Sequence, residues 1–129
     1  MKDAKVKQTK LNTTDQEILN SALSFALEFG ENWLKPIQER LLAKYHFLSA
    51  KELNQYDRLC AALMEESNKY VYQQLDKAAK NNHSMLRTEL KEELHKFLSK
   101  DYSWINEENL SHIFSQGCYY AYKDGVPVP

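Results

Sequence analysis

Apolar residues recur at steps of three and four through most of this chain, the period with which an α-helix buries a single face. The longest run lies between Ser49 and Lys80, where Leu53, Tyr56, Cys60, Leu63, Met64, Val71, Leu75 and Ala78 form one stripe. Ser49-Ala50-Lys51-Glu52 has the spacing of a capping box, in which hydroxyl and carboxylate each satisfy an amide of the first turn. The end is expected near Asn81 and Asn82. Such a helix is about 45 Å long at 1.5 Å per residue, whereas a domain of this length is roughly 36 Å across. It is therefore expected to overhang the domain, to bend, or to pack its free end on a second copy.

Upstream, Thr13, Thr14 and Asp15 are N-cap candidates, and Glu17 places a carboxylate in the first turn, where the helix dipole favours it. Ile18, Leu19, Ala22, Leu23, Phe25, Ala26 and Phe29 form a wide apolar arc, which implies neighbours on more than one side. Gly30 is placed to stop this helix and Pro36 to open the next in its first turn. The stripe nevertheless continues in phase through Trp33, Ile37 and Leu41. One kinked helix over 14–45 and two helices with a short joint both fit; the reading taken is two, with Trp33 buried at the joint.

Residues 45–48 form the turn into the central helix. Asn81-Asn82-His83-Ser84 reads as a polar reversal with Ser84 as the next N-cap. A helix from 85 to about 100 follows, with Leu86, Leu90, Leu94, Phe97 and Leu98 on one face and Lys and Glu residues on the other. Tyr102 and Trp104 sit in a short aromatic link. Asn106 caps a last helix with Glu107 and Glu108 in its first turn. Its buried face is Leu110, Ile113, Phe114, Gly117, Cys118 and Ala121; Gly125 ends it, and 126–129 form an extended tail. The expectation is an all-α fold: a single-domain bundle of about five helices organised around one long central helix. It divides into a flexible basic tail over 1–12, a helical domain over 13–125 and the tail over 126–129.

Composition supports that class. Only three Gly and three Pro leave little material for the turns of a many-stranded fold. An apolar fraction of 43% and a charged fraction of 27% are ordinary for a soluble domain. The net charge of −1 leaves no electrostatic footprint for a phosphate backbone, so nucleic acid is not an expected partner. Neither is a membrane, since no long apolar run is present. The first twelve residues carry Lys2, Lys5, Lys7 and Lys10 without the apolar core of a secretory signal. With only Cys60 and Cys118, both on apolar stripes, the expected compartment is the reducing cytoplasm.

Candidate chemistry is sparse. Glu92 and His95 share the spacing of half a carboxylate-bridged di-iron site, but no second Glu-x-x-His exists, and on a helical wheel both point away from Leu90 and Phe97. They are read as surface residues. His46, His83 and His112 have no second ligand at zinc-like spacing. There is no nucleophile elbow and no phosphate-binding glycine loop. No catalytic residue, metal ligand or cofactor is assigned.

Three departures from the apolar pattern carry more information. Ser67 and Gln74 are polar residues on the core side of the central helix, and an unpaired buried amide costs about 1–3 kcal/mol. Gly117 lies on the buried face of the last helix, where glycine costs up to about 1 kcal/mol relative to alanine, so something approaches it closely. Outward Tyr119 and Tyr72 suit an interface, because tyrosine covers area with little rotamer entropy lost; Tyr120 and Tyr122 are expected to flank the buried face. The expected function is a non-enzymatic interaction module that self-associates through the overhang of the central helix and the aromatic last helix, using Tyr72 and Tyr119. The alternative is a small-ligand- or metal-binding bundle with a cleft between the central and last helices at Ser67, Gln74 and Gly117.

Overall fold

The structure, a computed structural model, describes residues 13–129 except 29 and 34. The expected basic tail over 1–12, Phe29 of the first stripe, and the side chains of Thr13 and Thr14 lie outside the described residues. The elements in order are α1 (Thr13–Ala26), a 3-10 turn (Gly30–Asn32), α2 (Gln38–Lys44), α3 (Ala50–Lys80), α4 (Arg87–Ser99) and α5 (Glu107–Lys123). The fold is all-helical, with α3 touching each of the other four α-helices and α5 most extensively.

Both ends of α3 form as local chemistry directs. The Glu52 amide donates to Ser49 Oγ at 3.1 Å, and the Ser49 amide donates to Glu52 Oε1 at 2.8 Å. At the other end Asn82 turns left-handed with φ of 52°, so the Asn82 and His83 amides reach back to the Ala79 and Ala78 carbonyls at 3.1 and 2.8 Å. That is the Schellman arrangement, with asparagine as the residue that tolerates the left-handed turn. Gly125 performs the same task for α5, with φ of 86° and the Val126 amide bonded to the Ala121 carbonyl at 3.0 Å. The segment after it folds back, burying Val126 and packing Val128 against the core.

The expected overhang of α3 does not occur. Its buried positions run from Leu53 to Ala78 in the last turn, because α4 and α5 cover its C-terminal half. Tyr70 of α3 stacks on Phe97 of α4 at 4.3 Å between ring centroids, and Tyr102 donates to Glu66 at 3.0 Å.

Residues 14–45 form two helices, and the joint is longer than expected. α1 stops at Ala26, and Gly30, with φ of 82°, opens the 3-10 turn rather than capping α1. Pro36 lies outside α2, before Ile37 at its N-cap position. Trp33 is half-buried, stacked on Tyr120 of α5 at 6.4 Å. Arg40 draws the two ends of the joint together: its guanidinium donates to the Phe25 carbonyl (2.8 Å) and Glu28 Oε1 (3.0 Å) on one side and to the Lys35 and Pro36 carbonyls (3.1 and 3.2 Å) on the other. Buried Gln116 of α5 also donates to the Leu27 carbonyl at 3.1 Å. The start of α4 differs too. Its N-cap position is Leu86 and not Ser84, because the chain leaves the reversal at Asn82 and is still extended at Leu86. Leu86 is consequently 70% exposed instead of joining the buried stripe.

Candidate functional site

The α3–α5 seam contains the first set of candidates. Ser67, Val71 and Gln74 follow one another at helical spacing, and a methyl group on Gly117 would lie 3.0 Å from Val71 Cγ2 and 3.1 Å from its Cβ. Gly117 is therefore a point of direct helix–helix packing. Ser67 is fully buried, and its Oγ has no hydrogen-bond partner among the described residues. Gln74 is half-buried. Cys60 and Cys118 are buried free thiols; burial pushes both above the ordinary cysteine range, and Arg87 beside Cys118 opposes that shift.

The second set lies on the surface. Tyr119 is 43% exposed and, about 200° around α5 from Gly117, points away from α3. Its ring meets Tyr120 edge-on at 5.6 Å, Tyr120 stacks on Trp33, and Lys123 Nζ sits 5.6 Å from the Tyr119 centroid. Three rings from two elements thus form a row. Tyr72 is 37% exposed and makes no ring contact among the described residues. Tyr120 is half-buried, but Tyr122 is exposed rather than flanking the core. Exposed Phe47, on the turn before α3, was not among the sequence candidates.

A groove that the apolar pattern did not single out lies along α1. Its volume is about 760 Å³. Glu17, Asn20, Ser21 and Ser24 line it at i, i+3, i+4 and i+7, so they share one face of α1. Gln16 and Phe25 of α1, Lys44 and Tyr45 at the end of α2, and Trp104, Asn106, Glu108 and Asn109 around the start of α5 complete the lining. Asn20 is saturated: Nδ2 donates to the Gln16 and Trp104 carbonyls at 3.0 and 2.8 Å, while Oδ1 accepts from the Asn106 amide and Asn109 Nδ2, both at 3.0 Å. Ser21 Oγ is 2.8 Å from the Tyr45 hydroxyl and accepts from Lys44 Nζ at 3.0 Å. The polar stripe on α1 was the available sequence signal; its two walls come from distant parts of the chain.

Glu92 and His95 are exposed, and among the described residues no three His, Cys, Asp or Glu side chains group as metal ligands would. Among the same residues no helix is long and apolar enough to cross a membrane. Comparison of the chain with protein families, with curated proteins and with solved structures finds no match in any of the three.

Proposed function

We propose that this chain is a non-enzymatic protein–protein interaction module of the cytoplasm that associates with itself through the outer face of α5. The observation that supports this reading is the row Trp33, Tyr120 and Tyr119, which ends in an exposed ring on α5. Aromatic rings bury much area at small entropic cost, and rings already held against each other lose less freedom on docking than free side chains. In a two-fold dimer this face would be set against its own equivalent, so the rings of one copy would meet those of the other. Tyr72 on α3 is the second contact in this reading.

The test is the mass in solution of the wild type and of Tyr119→Asp and Tyr72→Asp, with helicity followed by circular dichroism. The wild type is expected to assemble. A buried carboxylate costs several kcal/mol, so Tyr119→Asp is expected to weaken assembly by at least about tenfold with helicity unchanged. Unchanged mass for both variants would sink the reading.

A further inference from the structure

We infer that the groove along α1 is a binding site for a small zwitterion carrying one ammonium and one carboxylate, the chemistry of free amino acids. The inference is independent of self-association through α5. The floor is prebuilt, because Asn20 has spent all its hydrogen-bonding capacity within the protein and Ser21 is held by its neighbours. What remains available is charged. Lys44 Nζ has one proton committed to Ser21 and two free, and it is steadied 5.6 Å from the Tyr45 ring rather than by a carboxylate. Glu17 and Glu108, which also line the groove, make no hydrogen bond or ion pair with any described residue.

One ammonium and two carboxylates therefore line one open groove without pairing with one another. A ligand whose ammonium reaches Glu17 and Glu108 and whose carboxylate reaches Lys44, with the Ser24 hydroxyl beside it, answers all of these groups together. A singly charged molecule would meet only one of the two signs of charge that the groove presents. A volume of about 760 Å³ lies within the range of small-molecule sites, on the order of 300–1,000 Å³.

The experiment is a two-dimensional ¹H–¹⁵N NMR titration of the full chain with each common free L-amino acid in turn, followed by the N-acetyl and C-amide derivatives of the tightest binder. Saturable shifts are expected at the amides of Asn20, Ser21, Lys44 and Glu108. Each derivative, and each of Lys44→Met and Glu108→Gln, is expected to bind about tenfold more weakly, the loss of one charge-assisted contact. These are exposed positions, so both variants should keep the wild-type spectrum elsewhere. The proposal is overturned if no amino acid gives saturable shifts at those amides, if the derivatives bind as well as the parent, or if both substitutions leave binding intact.

Discussion

At Gly117 the seam between α3 and α5 is too tight to take a methyl group without a shift of Val71. Alanine there would gain up to about 1 kcal/mol of helix propensity. Its Cβ would, however, press on Val71, a β-branched residue with one preferred rotamer in a helix, whose contacting Cβ is tied to the backbone. Overpacking of this kind costs about 1–3 kcal/mol. Gly117→Ala is therefore expected to destabilise by about 1 kcal/mol, read from the urea midpoint. In a Val71→Ala background the same change should be neutral or stabilising; equal effects in both backgrounds would refute the contact. The close approach was legible in the sequence, since glycine on a buried helical face is otherwise a cost. Its counterpart was not, because nothing local pairs residue 117 with residue 71. Ser67 and Gln74 make the same point: periodicity gave them one face, but only Ser67 is fully buried, since a helical wheel assigns direction and not depth.

Among the elements, the joint between α1 and α2 is bridged from end to end by one side chain. Arg40 bridges both of its ends with four hydrogen bonds, one of them to the Glu28 carboxylate. Hydrogen bonds to a charged group contribute about 1.5–3 kcal/mol. Arg40→Met is expected to lower stability by about 2 kcal/mol with helicity largely retained. Arg40→Lys should recover little of it, since a single ammonium cannot present the planar fork that spans both sides. An unchanged urea midpoint for the Met variant would show that the joint is held by other contacts. At this joint the sequence reading held for the two helices but not for its detail, since the joint is longer than expected and Gly30 and Pro36 do not cap the helices. The apolar phase running through Trp33, Ile37 and Leu41 kept a single kinked helix open, yet Trp33 packs from the irregular joint onto Tyr120 of α5 while Ile37 and Leu41 belong to the start of α2.

At the scale of the whole molecule, burial sets how the fold meets alkali. The Tyr56 phenol is pushed up to about 12, first by burial and then by the nearby Asp15 and Glu52 carboxylates. Tyr102 is raised in the same direction by burial and by the hydrogen bond it donates to Glu66. Unfolded tyrosine ionises near a pH of about 10. Below that pH the contribution of these phenols is complete; above it the unfolded chain releases protons that the folded one keeps, so stability falls as pH rises. The melting temperature is expected to decline from about pH 8.5, where the unfolded Cys60 and Cys118 thiols begin to ionise while the buried ones do not, and more steeply from about pH 10. Tyr56→Phe should make that decline shallower, and an identical slope would show that Tyr56 does not contribute.

The sequence by itself determined the class, the number of α-helices and most of their caps: the box at Ser49, the cap at Asn106, and the left-handed ends at Asn82 and Gly125. These depend on residues within about a turn of each other, so the forces that form them are already adjacent in the chain. Tertiary structure alone decided that α3 is covered to its last turn, that Ser67 is buried while Gln74 is half-buried, and that Trp33 ends up beside Tyr120. It also decided the groove, where Glu17, Lys44 and Glu108 arrive from three helices. Hydrophobic burial is non-directional, so a pattern of faces states how much surface each helix must hide and leaves to packing which neighbour hides it.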